Sequence, residues 1–355
     1  MNSRLVRPAL FVSTADASAL RDRAEVLPYD RHSLAVGAVL PMRDESFRDA
    51  LLGARSIYFD DQETPLGDAL LGLSHFEAVR DAAVLLGVQL TATASPRTAQ
   101  LLGVPATTDS PGNAMRMGFG PVRTGPLIPR GDLPAFRTST RVYADLPSRR
   151  YLDVERRVGL RLPKDRFFLP PLAGRPLAKR SRPLICYIAA SSWPRRKDYG
   201  ARGFARVARR INGMTGRRFD HALIQGLENR RETHPPFVRL PRKSHDLASL
   251  LGLFAQATLI IGNDTGLLHA AAMTKSETRR GVIGIYGRHS YLRFTTGDCR
   301  QYAIATPFAQ AMALLDLSPV RDGFDDARYP HAAPVRRIAP ELIADCAMRV
   351  IEGDL

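Results

Sequence analysis

The sequence predicts an α/β protein built on mostly parallel sheets, on three observations. Apolar runs of strand length alternate with segments of helical period through most of the 355 residues. The stretch Leu259-Ile-Ile-Gly-Asn-Asp-Thr-Gly-Leu-Leu-His-Ala-Ala-Ala-Met273 runs from a buried strand through a sharp polar turn straight into a helix. The composition, 45% hydrophobic and 24% charged, is that of a globular chain able to bury substantial cores, and the length suggests two domains.

In chain order, short strands are expected at Ala9 to Ser13 and at Leu34 to Leu40. Ser56-Ile-Tyr-Phe-Asp60 reads as the next strand, rich in residues that suit a pleated surface. Gly67 to Leu86 reads as an amphipathic helix with Leu70, Leu71, Leu73, Phe76, Val79, Ala83 and Leu86 on its apolar side. Val88 to Thr93 follows as a strand. Residues 105 to 140 are rich in Pro, Gly, Thr and Ser and are expected to be irregular. A basic stretch over 161 to 183 carries Pro163, Pro170, Pro171, Pro176 and Pro183 and reads as an interdomain linker.

The second half is patterned more cleanly. Pro183 to Ala190 is a strand, Ser191 to Tyr199 a polar loop, and Ala201 to Ile211 a helix that aligns Phe204, Val207, Ala208 and Ile211. Phe219 to Gln225 is a strand. Asp246 is an N-cap for a helix over Leu247 to Ala257. Thr258 to Gly262 and Gly281 to Tyr286 are strands. Pro340 to Glu352 is a helix with Leu342, Ile343, Cys346, Ala347 and Val350 apolar. The domains expected are 1–165, with an extra N-terminal segment 1–55, then 183–335, and a C-terminal helix in 340–355.

Charge narrows the function. The chain carries 51 Lys+Arg against 35 Asp+Glu, a net +16. Between Arg149 and Arg182 there are 11 basic and 3 acidic residues, and a second basic group runs from Arg195 to Arg218. Such a surface suits nucleic acid, an anionic membrane or phosphorylated substrates, or is simply a soluble basic surface. Aromatic content is only 7% and no RNA-binding aromatic motif occurs, so no nucleic-acid partner is expected. No stretch has the apolar length to span a bilayer, and the N-terminus is too interrupted for a signal peptide, so the expected location is cytoplasmic. Cys186, Cys299 and Cys346 lack metal-ligand spacing and read as thiols in a reducing compartment.

The turn Asn263 to Gly266 carries the most chemistry. A helix start offers unbonded N–H groups and partial positive charge, and in α/β sheets the carboxyl ends of strands bind ligands. A phosphate-bearing ligand is the first expectation.

The order of parts in the second half resembles glycosyltransferase family nine, the heptosyltransferase-like enzymes. Asp264-Thr-Gly-Leu-Leu-His269 is similar to the family signature D-[TS]-G-x-x-H. Ser191-Ser-Trp-Pro-Arg-Arg-Lys197 resembles a loop in which small hydroxyl residues precede a lysine. Gly226-Leu-Glu228 resembles a loop whose acid approaches the nucleotide ribose, and Gly284-Ile-Tyr-Gly287 resembles a strand ending in a glycine turn. In the first half, Ile57 to Asp68 resembles a strand followed by a Gly-Asp loop, but about 55 residues precede it that the family lacks. The resemblance covers roughly 55 to 352 and is strong only from 183 onward. It implies the GT-B fold, two Rossmann-like domains facing a central cleft, with the C-terminal helix packing back on the first domain. It implies inverting transfer of a sugar, by default heptose from ADP-heptose, to a hydroxyl acceptor, most naturally a lipopolysaccharide core precursor.

On that reading Asp68 is the general base, with Asp60, Asp61 and Glu63 as alternatives and a simple N-cap as its structural role. Lys197, Ser191, Ser192 and the amides of Thr265 and Gly266 would stabilise the departing diphosphate. Glu228, or Glu232 a turn later, would accept from the ribose hydroxyls. Asp264 either holds its turn or binds donor sugar hydroxyls, and His269 either bonds the diphosphate or locks its helix. No acidic cluster asks for a metal and no cofactor is expected beyond the nucleotide-sugar substrate. The basic surface would suit a phosphorylated acceptor or peripheral contact with an anionic inner membrane. Two other readings stay open: the same fold acting on a protein or small natural product, and a non-catalytic nucleotide-sugar-binding protein.

Overall fold

The computed structural model describes residues 10–13, 45–60, 66–108, 114–118, 137–138, 141–142, 146–164, 169–191, 197–226, 235–238, 240, 246–287, 291, 301–310 and 335–353. Contacts divide the chain into two compact units. The larger comprises 1–20, 171–316 and 323–355, the smaller 21–170 and 317–322. The first strand, β1 (Leu10–Ser13), belongs to the larger unit. The expected strand at 34–40 lies outside the described residues.

The smaller unit starts with α1 (Glu45–Gly53), β2 (Ser56–Asp60), α2 (Leu66–Leu85), β3 (Thr91–Ala94), α3 (Pro96–Leu102) and β4 (Ala114–Gly118). Its strands form a parallel sheet in the order β3-β2-β4. The short ladder of β5 (Arg137–Thr138) with β6 (Arg141–Val142) and helix α4 (Leu146–Val158) follow. Three expectations need correction. The strand predicted from Val88 begins only at Thr91: Gly87 has φ 71° and the Val88 N–H bonds back to the Ala83 carbonyl at 2.8 Å, so the chain is still closing α2. The stretch predicted to be irregular over 105–140 contains β4, whose Ala-Met-Arg-Met-Gly sequence lacks β-branched residues. And α2 is not amphipathic. From Ala69 to Phe76 every residue is buried, including Ser74 and His75, because the helix packs against both α4 and the sheet. Phe76 meets Phe59 of β2 edge to face at 5.9 Å, and the Tyr151 hydroxyl of α4 donates to the Asp81 carboxylate.

The larger unit continues with β7 (Leu184–Ile188), α5 (Ala201–Thr215), β8 (Asp220–Ile224), α6 (Leu247–Gln256), β9 (Ala257–Asn263), α7 (Gly266–Met273), β10 (Gly281–Tyr286), β11 (Gln301–Ala305) and α8 (Pro340–Glu352). The sheet order is β1-β11-β10-β9-β7-β8, parallel except for β1 on the edge. Every residue of β7 and β10 is buried, as expected of parallel strands covered on both faces. That is why they read as continuous apolar runs. The predicted N-cap holds: Asp246 Oδ1 accepts from the Ser249 N–H at 2.8 Å.

Helix α8 packs within the larger unit. Its buried Ile343, Ala347 and Val350 join the core of the larger unit with Phe204, Val207 and Ile211 of α5. The 3.6-residue stripe finds an apolar partner within its own unit. The proline-rich chain before β7 is also docked there. Arg175 N–H donates to the Ala248 carbonyl at 2.9 Å, and its guanidinium reaches Asp246 at 3.4 Å. Gly174 and Gly252 meet backbone to backbone; a Cβ on Gly252 would strike the Arg175 carbonyl.

Candidate functional site

The strand order of the larger unit creates one special place. From β7 the chain moves outward to β8, then returns to β9 on the other side of β7. The connections leaving β7 and β9 at their carboxyl ends therefore diverge, and the gap between them is where open α/β sheets bind ligands. The two segments that end there are the Ser191–Tyr199 loop and the Asn263–Gly266 turn. Gly262 lets them approach: a Cβ there would lie 2.9 Å from Ile188 Cβ and 3.0 Å from Leu268 Cδ1.

Asn263 clamps the two segments together. It is fully buried at the end of β9. Its Nδ2 donates to the Ala189 carbonyl at 3.2 Å and to Asp198 Oδ1 at 3.0 Å, and its Oδ1 accepts from the Tyr199 N–H at 3.0 Å. Asp198 Oδ1 also takes the Gly200 N–H at 2.7 Å, while Arg336 Nε donates to the Asp198 carbonyl at 3.0 Å. The Tyr199 hydroxyl donates to the Ile338 carbonyl at 3.0 Å. Asp198 and Tyr199 are thus fixed from two sides.

That scaffold places Lys197 against Asp264. The ammonium lies 2.9 Å from Asp264 Oδ2, with the side chains only 14% and 5% exposed, and 3.5 Å from the Asp264 carbonyl. His269, one turn into α7, has Nε2 3.8 Å from Asp264 Oδ1. Asp264 therefore has an occupation that sequence reading did not assign: it orients a cation and an imidazole. Helix α7 adds its amides. Leu268 and His269 N–H groups turn back to the Thr265 carbonyl at 3.0 and 3.2 Å, and those of Gly266 and Leu267 have no acceptor within the helix. The Thr265 hydroxyl is buried and has no hydrogen-bond partner among the described residues. Beside them, Tyr286 ends β10 with its ring over Gly284. Burial and the Asp264 charge push its phenol pKa up, which keeps it a donor.

The arrangement is rich in donors: one ammonium held by one carboxylate, helix-start amides without an acceptor in the helix, a hydroxyl and a phenol. It can receive a diphosphate. Of the donor-side residues predicted, Lys197, Asp264, Thr265, Gly266 and His269 converge. Ser191 stands at the start of the same loop. Ser192 and Glu228 lie outside the described residues. In the smaller unit, Asp68 falls in the first turn of α2, after the carboxyl end of the central strand β2. Asn263, Asp198, Tyr199 and Arg336 were missed as site residues. A buried asparagine closing an apolar strand was a signal for the first; nothing local marks Arg336. Among the described residues no group of three or more His, Cys, Asp or Glu could hold a metal ion, and no helix is long and apolar enough to cross a membrane.

No curated protein matches the sequence. A solved glycosyl transferase family 9 structure from Veillonella parvula superposes with a TM-score of 0.53 at 13% identity, over 84% of this chain and 97% of that one. It shares the fold. E. coli ADP-heptose lps heptosyltransferase II aligns with a TM-score of 0.48 at 11% identity, over 84% and 99% of the two chains. TibC, a dodecameric iron-containing heptosyltransferase solved with ADP-D-beta-D-heptose, gives 0.48 at 13%, over 84% and 77%. The family model for glycosyltransferase family 9 (heptosyltransferase) matches residues 153–309, a stretch that contains Lys197 and the whole Asn263–His269 turn but not Asp68. The switch-point cluster and strands β7 to β11 thus lie inside a stretch that matches the family 9 glycosyltransferases.

Proposed function

We propose that the protein transfers a sugar, with heptose from ADP-heptose the first to test, to a hydroxyl acceptor with inversion at the anomeric carbon. The observation that carries this reading is the buried Lys197–Asp264–His269 cluster at the switch point, inside the stretch matching the family. The new bond joins the acceptor oxygen to C1 of the sugar as the bond from C1 to the diphosphate oxygen breaks. Asp68 takes the acceptor proton. Lys197 and the Gly266 and Leu267 amides receive the charge that develops on the leaving diphosphate, and Ser191 and Ser192 add hydroxyl donors. Glu228 bonds the ribose. Asp264 and His269 set the position of Lys197. A phosphorylated lipopolysaccharide precursor is the acceptor class that best suits the basic surface, with peripheral contact to an anionic membrane.

The test is a thermal-shift panel of ADP, GDP, UDP and their sugars, followed by turnover. ADP-heptose should raise the melting temperature of the wild type, and Lys197→Ala should abolish the rise. Asp68→Asn should keep the nucleotide shift while losing at least 100-fold in turnover. No stabilisation by any of these ligands at millimolar concentration defeats the donor reading; full turnover by the Asp68 variant defeats the base assignment alone.

A further inference from the structure

At the opposite ends of the same strands lies a basic cavity. It has a volume of about 730 Å³ and sits where β7 and β8 begin, next to the last turns of α5. That is one strand length, about 16 Å, from the switch-point turns. The volume falls in the range of small-ligand sites, roughly 300–1,000 Å³. Arg182, Arg209 and Arg217 line it, and none of the three has an ion-pair or hydrogen-bond partner for its side chain among the described residues. The one acid in the wall, Asp220, is already taken by Arg180 at 2.8 Å.

The neutral part of the wall is arranged to donate. Tyr187 hydroxyl and His221 Nδ1 are 3.0 Å apart, and His221 Nε2 is 3.0 Å from Asn212 Oδ1. With Tyr187 donating, Nδ1 accepts and Nε2–H donates to Asn212 Oδ1. This leaves the Asn212 amide N–H groups, in a cavity-lining residue, without a partner among the described residues. Burial lowers the His221 pKa to about 4, so at neutral pH the imidazole carries no charge and the field in the cavity comes from the arginines. Arg217 is held at φ 62°, a left-handed setting rare outside glycine, directly after Gly216 at φ 59°. A second opening of about 540 Å³ continues the first along α5, sharing Arg209 and adding Arg202 and Arg206 at helical spacing. The opposite wall, Pro235 to Val238, is pinned by the Val238 N–H to the His221 carbonyl at 2.7 Å.

We propose that this cavity binds a phosphate-bearing small molecule, at an anion site separate from the switch-point cluster. Three unpaired guanidiniums can grip phosphate oxygens with paired N–H donors. The flat walls of Phe219, Pro235 and Pro236 leave room for the body of a sugar phosphate. The chemistry is that of a phosphate monoester or a free oligophosphate, and glucose 6-phosphate and inorganic pyrophosphate separate the two sources.

Titration calorimetry on the full chain tests it, in wild type, Lys197→Ala and the double variant Arg209→Gln/Arg217→Gln. The arginines are exposed and unpaired, so the double variant keeps its melting temperature. The expected result is binding of at least one probe to wild type and to Lys197→Ala alike, weakened at least tenfold in the double variant, with Arg182→Gln as an independent repeat. Tighter glucose 6-phosphate binding marks a sugar phosphate as the ligand; tighter pyrophosphate marks an oligophosphate. Binding lost in Lys197→Ala but kept in the double variant assigns the anion to the switch point and overturns the proposal. So does the absence of binding at millimolar probe, including the case in which only phosphatidylglycerol vesicles are bound through these arginines. None of these outcomes depends on turnover, so failure here leaves the transferase reading standing.

Discussion

Asn263 and the Lys197–Asp264 pair show how single residues set the site. Asn263→Ala leaves the buried Tyr199 N–H without its partner and removes one of two donors to Asp198 Oδ1, an expected cost of about 1–3 kcal/mol in urea unfolding. The same variant should weaken nucleotide binding, because the Lys197 loop loses its anchor. The ion pair calls for a double-mutant cycle. Asp264→Asn and Lys197→Met each strip a partner from a largely buried charge and should each destabilise the fold. The double variant should recover at least about 1 kcal/mol of the summed loss, the coupling of close neighbours. Strict additivity in denaturant melts would mean the two charges do not hold each other. Lys197, Asp264 and His269 were legible as a motif because they lie in turns next to strongly patterned strands. The roles inside the motif were not, since a carboxylate that orients a lysine and one that bonds a sugar look alike in sequence.

At the scale of elements, patterning located strands and helices well where the chain repeats buried–exposed periods or runs continuously apolar, and failed where the sequence is polar. Pro340–Glu352 and Gly281–Tyr286 match the expected bounds. Glu45–Gly53, Pro96–Leu102, Leu146–Val158 and Gln301–Ala305 were not anticipated. Leu146–Val158 carries four arginine or acidic side chains in its second half, and its buried Tyr151, Val154 and Val158 stand out only once α2 is seen behind them. Two changes test element junctions. Gly252→Ala drives a methyl into the Arg175 carbonyl and should cost at least about 1–3 kcal/mol, the range for overpacking. Asp246→Ala removes the cap of α6 and should cost about 1 kcal/mol at neutral pH. The Ser249 amide and hydroxyl and the Arg175 charge lower the Asp246 pKa, so its contribution is present above the ordinary carboxylate range and fades as pH falls through the folded-state value. The difference between wild type and Asp246→Ala should therefore shrink between pH 5 and pH 3; a constant difference would argue that the cap does not depend on ionisation.

For the whole molecule, acid sensitivity follows from two buried histidines, one in each unit. His221 is lowered to about 4 by burial, and His75 is lowered by burial and by Arg150 and Arg157. A base whose folded pKa is depressed binds fewer protons folded than unfolded. Stability from it is full above the unfolded value near 6.5 and falls as pH drops toward the folded value. For His221 the gap corresponds to about 3 kcal/mol. Urea midpoints should drop steeply from pH 7 to pH 4, and His221→Gln should flatten that slope in the larger unit. An unchanged slope in the variant would remove His221 as the cause. The terminal helix α8 has a further consequence at this scale, in time rather than space. Its Ile343, Ala347 and Val350 complete a core whose other members are translated earlier, so that core must wait on the ribosome partly uncovered until α8 emerges. A fragment cut at the bounds of the family match would stay in that exposed state, a substrate for chaperones and aggregation rather than a working half-enzyme.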